Sequence, residues 1–379
     1  MSFNLHIYQT GVSHESRLIR HCEALRDLGG IPRVEFLGCA ADHDQDVEFG
    51  DGLKARLLYR PDVRHSSLIS KLSATRRWGR RVAEEAIKMR PDLVTCHSLP
   101  VLPVCVHVKK KLGCALMYEP HELETETIVS RGIRQAIAKR LEKTLIKHCD
   151  GIIVVSEGIA DWYSREYRID RPSVVRNLPT LEKNETPVRS SLLRDLHGIP
   201  DGEILFLYQG YVGAGRRVHQ YLQVFAELGC PYHIVFMGNG ELEGEIRAGA
   251  AIHDNIHYQE AVPSSEVLTH TVSADVGLCG AENVCLSYFF SLPNKLFEFM
   301  ASGIPSLVPA YPEMKRVVES THCGWVHGES NEELVKAICS ITPASIDERR
   351  DSTRVAVQHC RWEDERHKLV DAYGKLGIL

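Results

Sequence analysis

Short apolar runs alternate along this chain with longer stretches in which apolar positions recur every three or four residues. In the first half the short runs fall at residues 4–8, 34–39, 55–59, 93–96, 115–118 and 152–155. Each reads as a buried strand, because a strand covered on both faces carries apolar side chains in both directions. Residues 16–28, 67–89, 102–112 and 133–148 carry the spacing of amphipathic helices. Strands alternating with helices predict a parallel sheet covered on both faces. Val174-Val175 is the last strand signal of this half, and Asn177-Leu178-Pro179 follows it.

Residues 180–202 are polar and broken by Pro187 and Pro200, which marks a candidate linker. The pattern then restarts, with strand signals at 204–208, 234–237, 256–258, 276–279, 306–308 and 324–326 and helical spacing between them. Two successive α/β units predict two Rossmann-like domains, at 1–185 and 186–360. The tail 361–379 reads as an amphipathic helix. No repeat or low-complexity tract interrupts this pattern.

Composition narrows the class. At 379 residues the chain is long enough for two domains, and 44% hydrophobic with 25% charged residues is ordinary for a globular protein. Its first residues lack a basic segment followed by a long apolar run, and no stretch of about 18 apolar residues exists, so neither a signal peptide nor a spanning helix is expected. The 12 cysteines include no C-x-x-C pair, and the 19 histidines include no H-E-x-x-H. Reduced, mostly buried thiols in a cytoplasmic protein and no structural zinc are therefore expected. Asp42-His43-Asp44 sits in an acidic string with Asp46 and Glu48, which reads as an exposed loop and not as a metal site. Net charge is −5, split into +5 for residues 1–190 and −10 for the rest. The basic excess gathers at Arg76, Arg77, Arg80, Arg81 and the run 109–111. Solvated helix faces explain it. Attraction to an anionic membrane surface or acceptor is the functional alternative to that first explanation, with Trp78 suited to a lipid interface. Nothing points to nucleic acid.

The most informative stretch is residues 291–305, SLPNKLFEFMASGIP. Pro293 fits the entry to a helix, Asn294 fits its N-cap, and Gly303 with Pro305 is a stop signal. Lys295 and Glu298 share a polar face. A lysine in the first turn faces the positive end of the helix dipole, so an anion at that end would account for it. An i,i+3 surface ion pair is the other explanation.

The run PNKLFEFMASGIPSLVP resembles the nucleotide-binding segment of retaining GT-B glycosyltransferases of the family 4 type, whose members often read PNKLFEYMA-x-G-x-P. The resemblance implies two Rossmann-like domains facing a cleft, with the C-terminal helix crossing back to the first. It implies a nucleotide-diphosphate sugar as co-substrate, most often a UDP-sugar, a hydroxyl acceptor and no other cofactor. The acceptor would be lipid-linked or soluble, and the product a polysaccharide, glycolipid or glycoside. In such enzymes the glutamate matching Glu298 binds the ribose hydroxyls, and the helix start, with Asn294 and Lys295, holds the diphosphate. Tyr208-Gln209-Gly210-Tyr211 followed by Gly213-Ala214-Gly215-Arg216-Arg217 resembles the family's phosphate loop, in which the residue matching Arg216 stabilises the leaving diphosphate. Many members carry an arginine where this chain has Tyr211, and Arg217 is the candidate to compensate.

Tyr118-Glu119-Pro120-His121-Glu122 resembles the family's Y-D-x-H-E segment, whose histidine approaches the donor sugar. A loop histidine bonded to Glu122 or Glu124 is the structural alternative for His121. Gly11, in the loop Thr10-Gly11-Val12-Ser13, and Gly238, in Met237-Gly238-Asn239-Gly240, match loops beside the donor. A tight turn explains each as well. Many relatives carry a second glutamate where this chain has Phe290, so its role falls to Ser291, Asn294 or Glu282. Relatives with PNKLFEYM commonly lack that glutamate too. The expected catalytic set is His121, Arg216 and Lys295, with no metal. A nucleotide-sugar epimerase of the same fold, and a sugar-nucleotide-binding partner protein without catalysis, remain the alternatives.

Overall fold

The computed structural model describes residues 2–11, 16–62, 67–180 and 188–377. Val12 and Ser13 of the first glycine loop, and 181–187 of the candidate linker with the expected boundary at 185, lie outside the described residues. The chain divides into two compact units. The first comprises the chain up to Asn177 together with the C-terminal residues from Glu365, and the second is Leu178–Asp364.

The first unit holds β1 (Phe3–Ile7), β2 (Arg33–Ala40), β3 (Gln45–Phe49), β4 (Leu53–Tyr59), β5 (Leu93–Cys96), β6 (Ala115–Tyr118), β7 (Gly151–Val154) and β8 (Ser173–Val174), in the order β3-β4-β2-β1-β5-β6-β7-β8. All neighbours are parallel except β3 and β4. Residues 42–44 form the expected exposed loop, but β3 corrects the loop reading of the residues from Gln45 onward. Acidic residues in and just before it face basic partners on the next strand and a helix: Asp46 pairs with Arg56 at 2.7 Å, and Asp44, in the preceding loop, pairs with Arg81. A charged strand is tolerated there because it lies at the sheet edge.

Trp78 is a second correction. It is 4% exposed, and its indole N–H donates to the Leu58 carbonyl at 3.2 Å. The helix Leu68–Met89 therefore turns Trp78 into the core, leaving Arg76, Arg77 and Arg80 exposed.

The C-terminal helix Trp362–Gly374 reaches back into this unit. Glu365, 1% exposed, accepts from the Arg176 backbone N–H at 2.9 Å and pairs with its guanidinium at 3.0 Å. Burial raises this carboxyl, but the Arg176 charge and hydrogen bonds outweigh it and hold the group below its ordinary range.

The second unit is an all-parallel sheet of β9 (Ile204–Gln209), β10 (Tyr232–Met237), β11 (Ile256–Gln259), β12 (Val276–Leu278), β13 (Ser306–Pro309) and β14 (Gly324–His327), in the order β11-β10-β9-β12-β13-β14. Alternate residues feed two cores. Leu205 and Leu207 pack with Phe297 and Met300 on one face, while Phe206 and Tyr208 pack with Phe225 and Phe236 on the other. Gly277 sets the height of the helix Asn294–Ala301, because a Cβ there would lie 2.4 Å from the Phe299 ring. The chain builds outward from β9 to β11 and then resumes at β12 on the other side. A crevice therefore opens at the carboxyl ends of β9 and β12, where such sheets receive ligands.

Candidate active site

At that crevice in the second unit, β9 ends in Gln209 and Gly210 turns with φ 107°. The loop that follows is held by the loop after β10. The Val212 N–H donates to the Asn239 carbonyl at 3.0 Å, and the Ala214 N–H donates to the Glu241 carboxylate at 2.8 Å. A Cβ on Gly238 would stand 1.9 Å from the Gly210 carbonyl oxygen. This loop-to-loop contact accounts for the glycine at 238 by itself.

Two cations converge over aromatic rings beside this turn. The Arg216 guanidinium lies 4.9 Å from the Tyr288 ring centre, and the Lys295 ammonium lies 4.2 Å from that of Tyr208. Among the described residues neither closes an ion pair within 4.0 Å. The i,i+3 pair between Lys295 and Glu298 therefore does not form. Desolvation pushes the Lys295 ammonium down to about 8. Cys279 and Glu298 oppose that shift, and the neighbouring Arg216 charge adds to it. The two positive groups are thus held close together, and among the described residues neither is paired with a carboxylate.

Glu298 turns instead to Gln209, whose Nε2 donates to Glu298 Oε2 at 2.8 Å. The Thr271 hydroxyl donates to Gln209 Oε1 at 2.8 Å, which fixes the amide's orientation. The carboxylate is exposed and aimed.

Two site expectations need correction. Pro293 takes the N-cap position, with φ −74° and ψ 143°, and Asn294 is the first helical residue, so Asn294 does not cap. Arg217 points inward at 1% exposure. Its guanidinium donates to the Ala281 carbonyl at 2.7 Å, the Tyr311 hydroxyl at 2.7 Å, Gln220 at 2.5 Å and Glu329 at 2.6 Å. Those bonds use four of its five N–H groups and anchor a residue held at φ 60°, a conformation that ordinarily favours glycine, so the guanidinium is committed to the interior. Ser291 donates its hydroxyl to the Tyr288 carbonyl at 2.7 Å, closing a helical turn. Phe290, at the position of the missing glutamate, stacks edge-on with Phe289 at 5.1 Å. The Glu282 backbone N–H is tied to the Gly215 carbonyl at 2.9 Å.

The first unit has its own switch point between β1 and β5. Tyr8, His97 and His121 meet there, each just past the end of a strand. His121 lies 5.2 Å from Tyr8 and 5.5 Å from His97 between ring centres, and its Nε2 stands 3.3 Å from His97 Nδ1. The string continues inward from His97 Nε2 to His6 Nδ1 at 2.8 Å and from His6 Nε2 to Asn4 at 2.9 Å. Burial holds His97 and His121 down to about 3, so both are neutral imidazoles at ordinary pH. The buried carboxylate of this cluster is Glu119. It accepts from His21 at 3.0 Å and from the Tyr373 hydroxyl at 2.7 Å, and lies 3.5 Å from His97. Burial would raise Glu119, but the charge and hydrogen bond of the facing His21 outweigh it and keep it ionised. At Gly11 a Cβ would meet only the Cys39 carbonyl, at 3.6 Å, so no steric need for glycine arises.

Thr271, Tyr288, His6, His97 and Tyr373 escaped the sequence reading, and Tyr208, Gln209 and Glu119 entered it only as motif positions without roles. One signal was available. Asn4 and His6 interrupt a strand that a two-faced parallel sheet would otherwise fill with apolar residues.

Residues 15–178 match the model of Glycosyltransferase Family 4. No curated protein sequence matches the chain. Among solved structures, sucrose-phosphate synthase from Thermosynechococcus elongatus is similar over 100% of this chain and 99% of its own, with a TM-score of 0.79 and 15% identity. Trehalose 6-phosphate synthase from Burkholderia multivorans is similar over 100% and 99%, with a TM-score of 0.70 and 11% identity. The Anabaena protein HepE, in complex with UDP and glucose, is similar over 99% and 100%, with a TM-score of 0.71 and 13% identity. The chain has the GT-B glycosyltransferase fold. Within this GT-B chain, the family 4 match covers most of the unit that carries His121. The cations and Glu298 belong to the unit after it.

Proposed function

We propose that this chain is a retaining glycosyltransferase that moves a sugar from a nucleotide-diphosphate sugar, of the UDP type, to a hydroxyl acceptor. The observation that carries the reading is the convergence of Arg216 and Lys295, without an acidic partner, at the crevice between β9 and β12. A diphosphate supplies the anion those groups lack. Glu298, oriented by Gln209, accepts hydrogen bonds from the ribose hydroxyls. Gly210 and the loop after it let the backbone approach the phosphates.

In the reaction the bond between the anomeric carbon and the diphosphate oxygen breaks. The acceptor oxygen bonds to the same face of that carbon, and its proton passes to the departing phosphate. No side-chain base is then required. Arg216 and Lys295 stabilise charge that grows on the leaving group, and this takes the place of a divalent cation. His121 serves the sugar as a neutral hydrogen-bonding group and supplies no charge. The acceptor class follows the same reading: a hydroxyl in polysaccharide, glycolipid or glycoside synthesis, reached from the cytoplasmic side. No helix among the described residues is long and apolar enough to cross a membrane. Peripheral contact therefore falls to exposed Arg76, Arg77 and Arg80.

Incubating the full chain with a panel of nucleotide sugars in EDTA, and following the products by NMR, tests this. Slow hydrolysis that releases the nucleoside diphosphate and a sugar of retained anomeric configuration supports it. An isomeric nucleotide sugar would indicate an epimerase, and binding without turnover a partner protein.

A further inference from the structure

The amino ends of the second unit's strands carry a cluster that the donor chemistry does not use. Glu203 precedes β9, Cys230 lies two residues before β10, and His233 is the second residue of β10. One ligand atom from each lies within 4.8 Å of the others, the one such group of three among the described residues. His233 Nε2 contacts the Glu203 carboxylate and stands 3.8 Å from Cys230 Sγ. The other ring nitrogen, Nδ1, is 3.0 Å from His257 Nε2, and the His257 ring lies 5.2 Å from His197 on its far side.

We propose that Glu203, Cys230 and His233 form a binding site for a zinc-class divalent metal ion. Thiolate, imidazole and carboxylate are the donors such an ion takes, and tetrahedral zinc sets its ligand atoms about 3.5 Å apart. Small side-chain rotations bring the present spacing to that value. A thiolate and a carboxylate together balance the charge of the dication. The metal replaces the proton between His233 Nε2 and Glu203. His233 is 3% exposed and fixed in β10, and with the metal on Nε2 its ring proton sits on Nδ1, 3.0 Å from His257 Nε2, and donates to it. That outer contact is the kind that orients a ligating imidazole. Cys230 is exposed and Glu203 half-exposed, so the fourth position opens to water. Paired-ligand motifs could not reveal the site, because Glu203 is far from the C-x-x-H of Cys230 and His233 in sequence. It lies at the strand ends opposite Gln209 and Cys279, and it stands independently of the donor reading.

Cobalt(II) alone, titrated into the full chain after metal removal, tests the proposal. The expected result is one bound equivalent with a sulfur-to-cobalt charge-transfer band that zinc(II) displaces. Cys339 is the other exposed thiol, so Cys339→Ser keeps the band and Cys230→Ser loses it. Glu203→Gln weakens cobalt binding by about tenfold or more. A wild-type chain without the band, or a Cys230→Ser chain with an unchanged one, overturns the assignment.

Discussion

Gln209 Nε2 donates to Glu298 Oε2 over 2.8 Å, joining the end of β9 to the helix Asn294–Ala301. The bond places one carboxylate oxygen and leaves the exposed side of the group available to a ligand. Glu298→Gln should weaken nucleoside diphosphate binding by about tenfold or more, since hydrogen bonds to a charged acceptor are worth roughly 1.5–3 kcal/mol. Gln209→Ala keeps the charge but loosens its aim, and should cost about fivefold. Equal affinity for all three proteins, measured by calorimetry, would remove Glu298 from the ribose.

Lys295 gives the site a pH dependence. Its ammonium, held down to about 8 mainly by desolvation, is charged below that pH and neutral above it. A diphosphate binds the charged form. Affinity should therefore be flat below pH 8 and fall by up to about tenfold per pH unit above it. Lys295→Arg should flatten the profile, because a guanidinium stays charged throughout. A wild-type profile that is already flat to pH 10 would contradict the desolvated lysine.

Much of the architecture was legible in the residue pattern, for a physical reason. Strands buried on both faces must be continuously apolar, so β5 and β6 could be bounded from their side chains alone. The strand β3 was not legible, because QDVEF is polar and its strand character comes from pairing with β4 and from Arg56. The candidate site divides the same way. Lys295 and Glu298 lie in one contiguous run. Gln209, Tyr208 and Tyr288 reach them only through the fold. Arg217 and Trp78 show the converse. Their flanking sequence suggested exposed roles, and packing turned both inward.

The C-terminal helix contributes one buried anchor to the first unit. The Tyr373 hydroxyl donates to ionised Glu119 at 2.7 Å and shares a 2.8 Å hydrogen bond with Thr95. Tyr373→Phe should destabilise that unit by about 2 kcal/mol, read from urea unfolding. Glu119 sits below its ordinary value of 4.5, so its contribution is complete above that pH and is lost as pH falls below it. The stability gap between wild type and Tyr373→Phe should therefore narrow in acid. A gap independent of pH would mean that the carboxylate charge plays no part.

Arg76, Arg77 and Arg80 are exposed on a helix whose Trp78 faces the core, so any membrane contact there is electrostatic. Each basic residue near anionic lipid contributes on the order of 1 kcal/mol, screened over about 8 Å at physiological salt. The chain should sediment with anionic vesicles at low salt, be released at high salt, and ignore neutral vesicles. Retention at high salt would point to an apolar anchor that the helix does not present.

The account rests on a diphosphate lying between Arg216 and Lys295. Calorimetric titration of the full chain with UDP, ADP and GDP, alongside Arg216→Ala and Lys295→Ala, tests this most directly. It predicts saturable one-to-one binding, strongest for UDP, weakened about tenfold or more in each variant while melting temperatures stay near wild type. A folded wild-type chain that takes up none of the three at about 1 mM, or variants that bind as tightly as wild type, would contradict it.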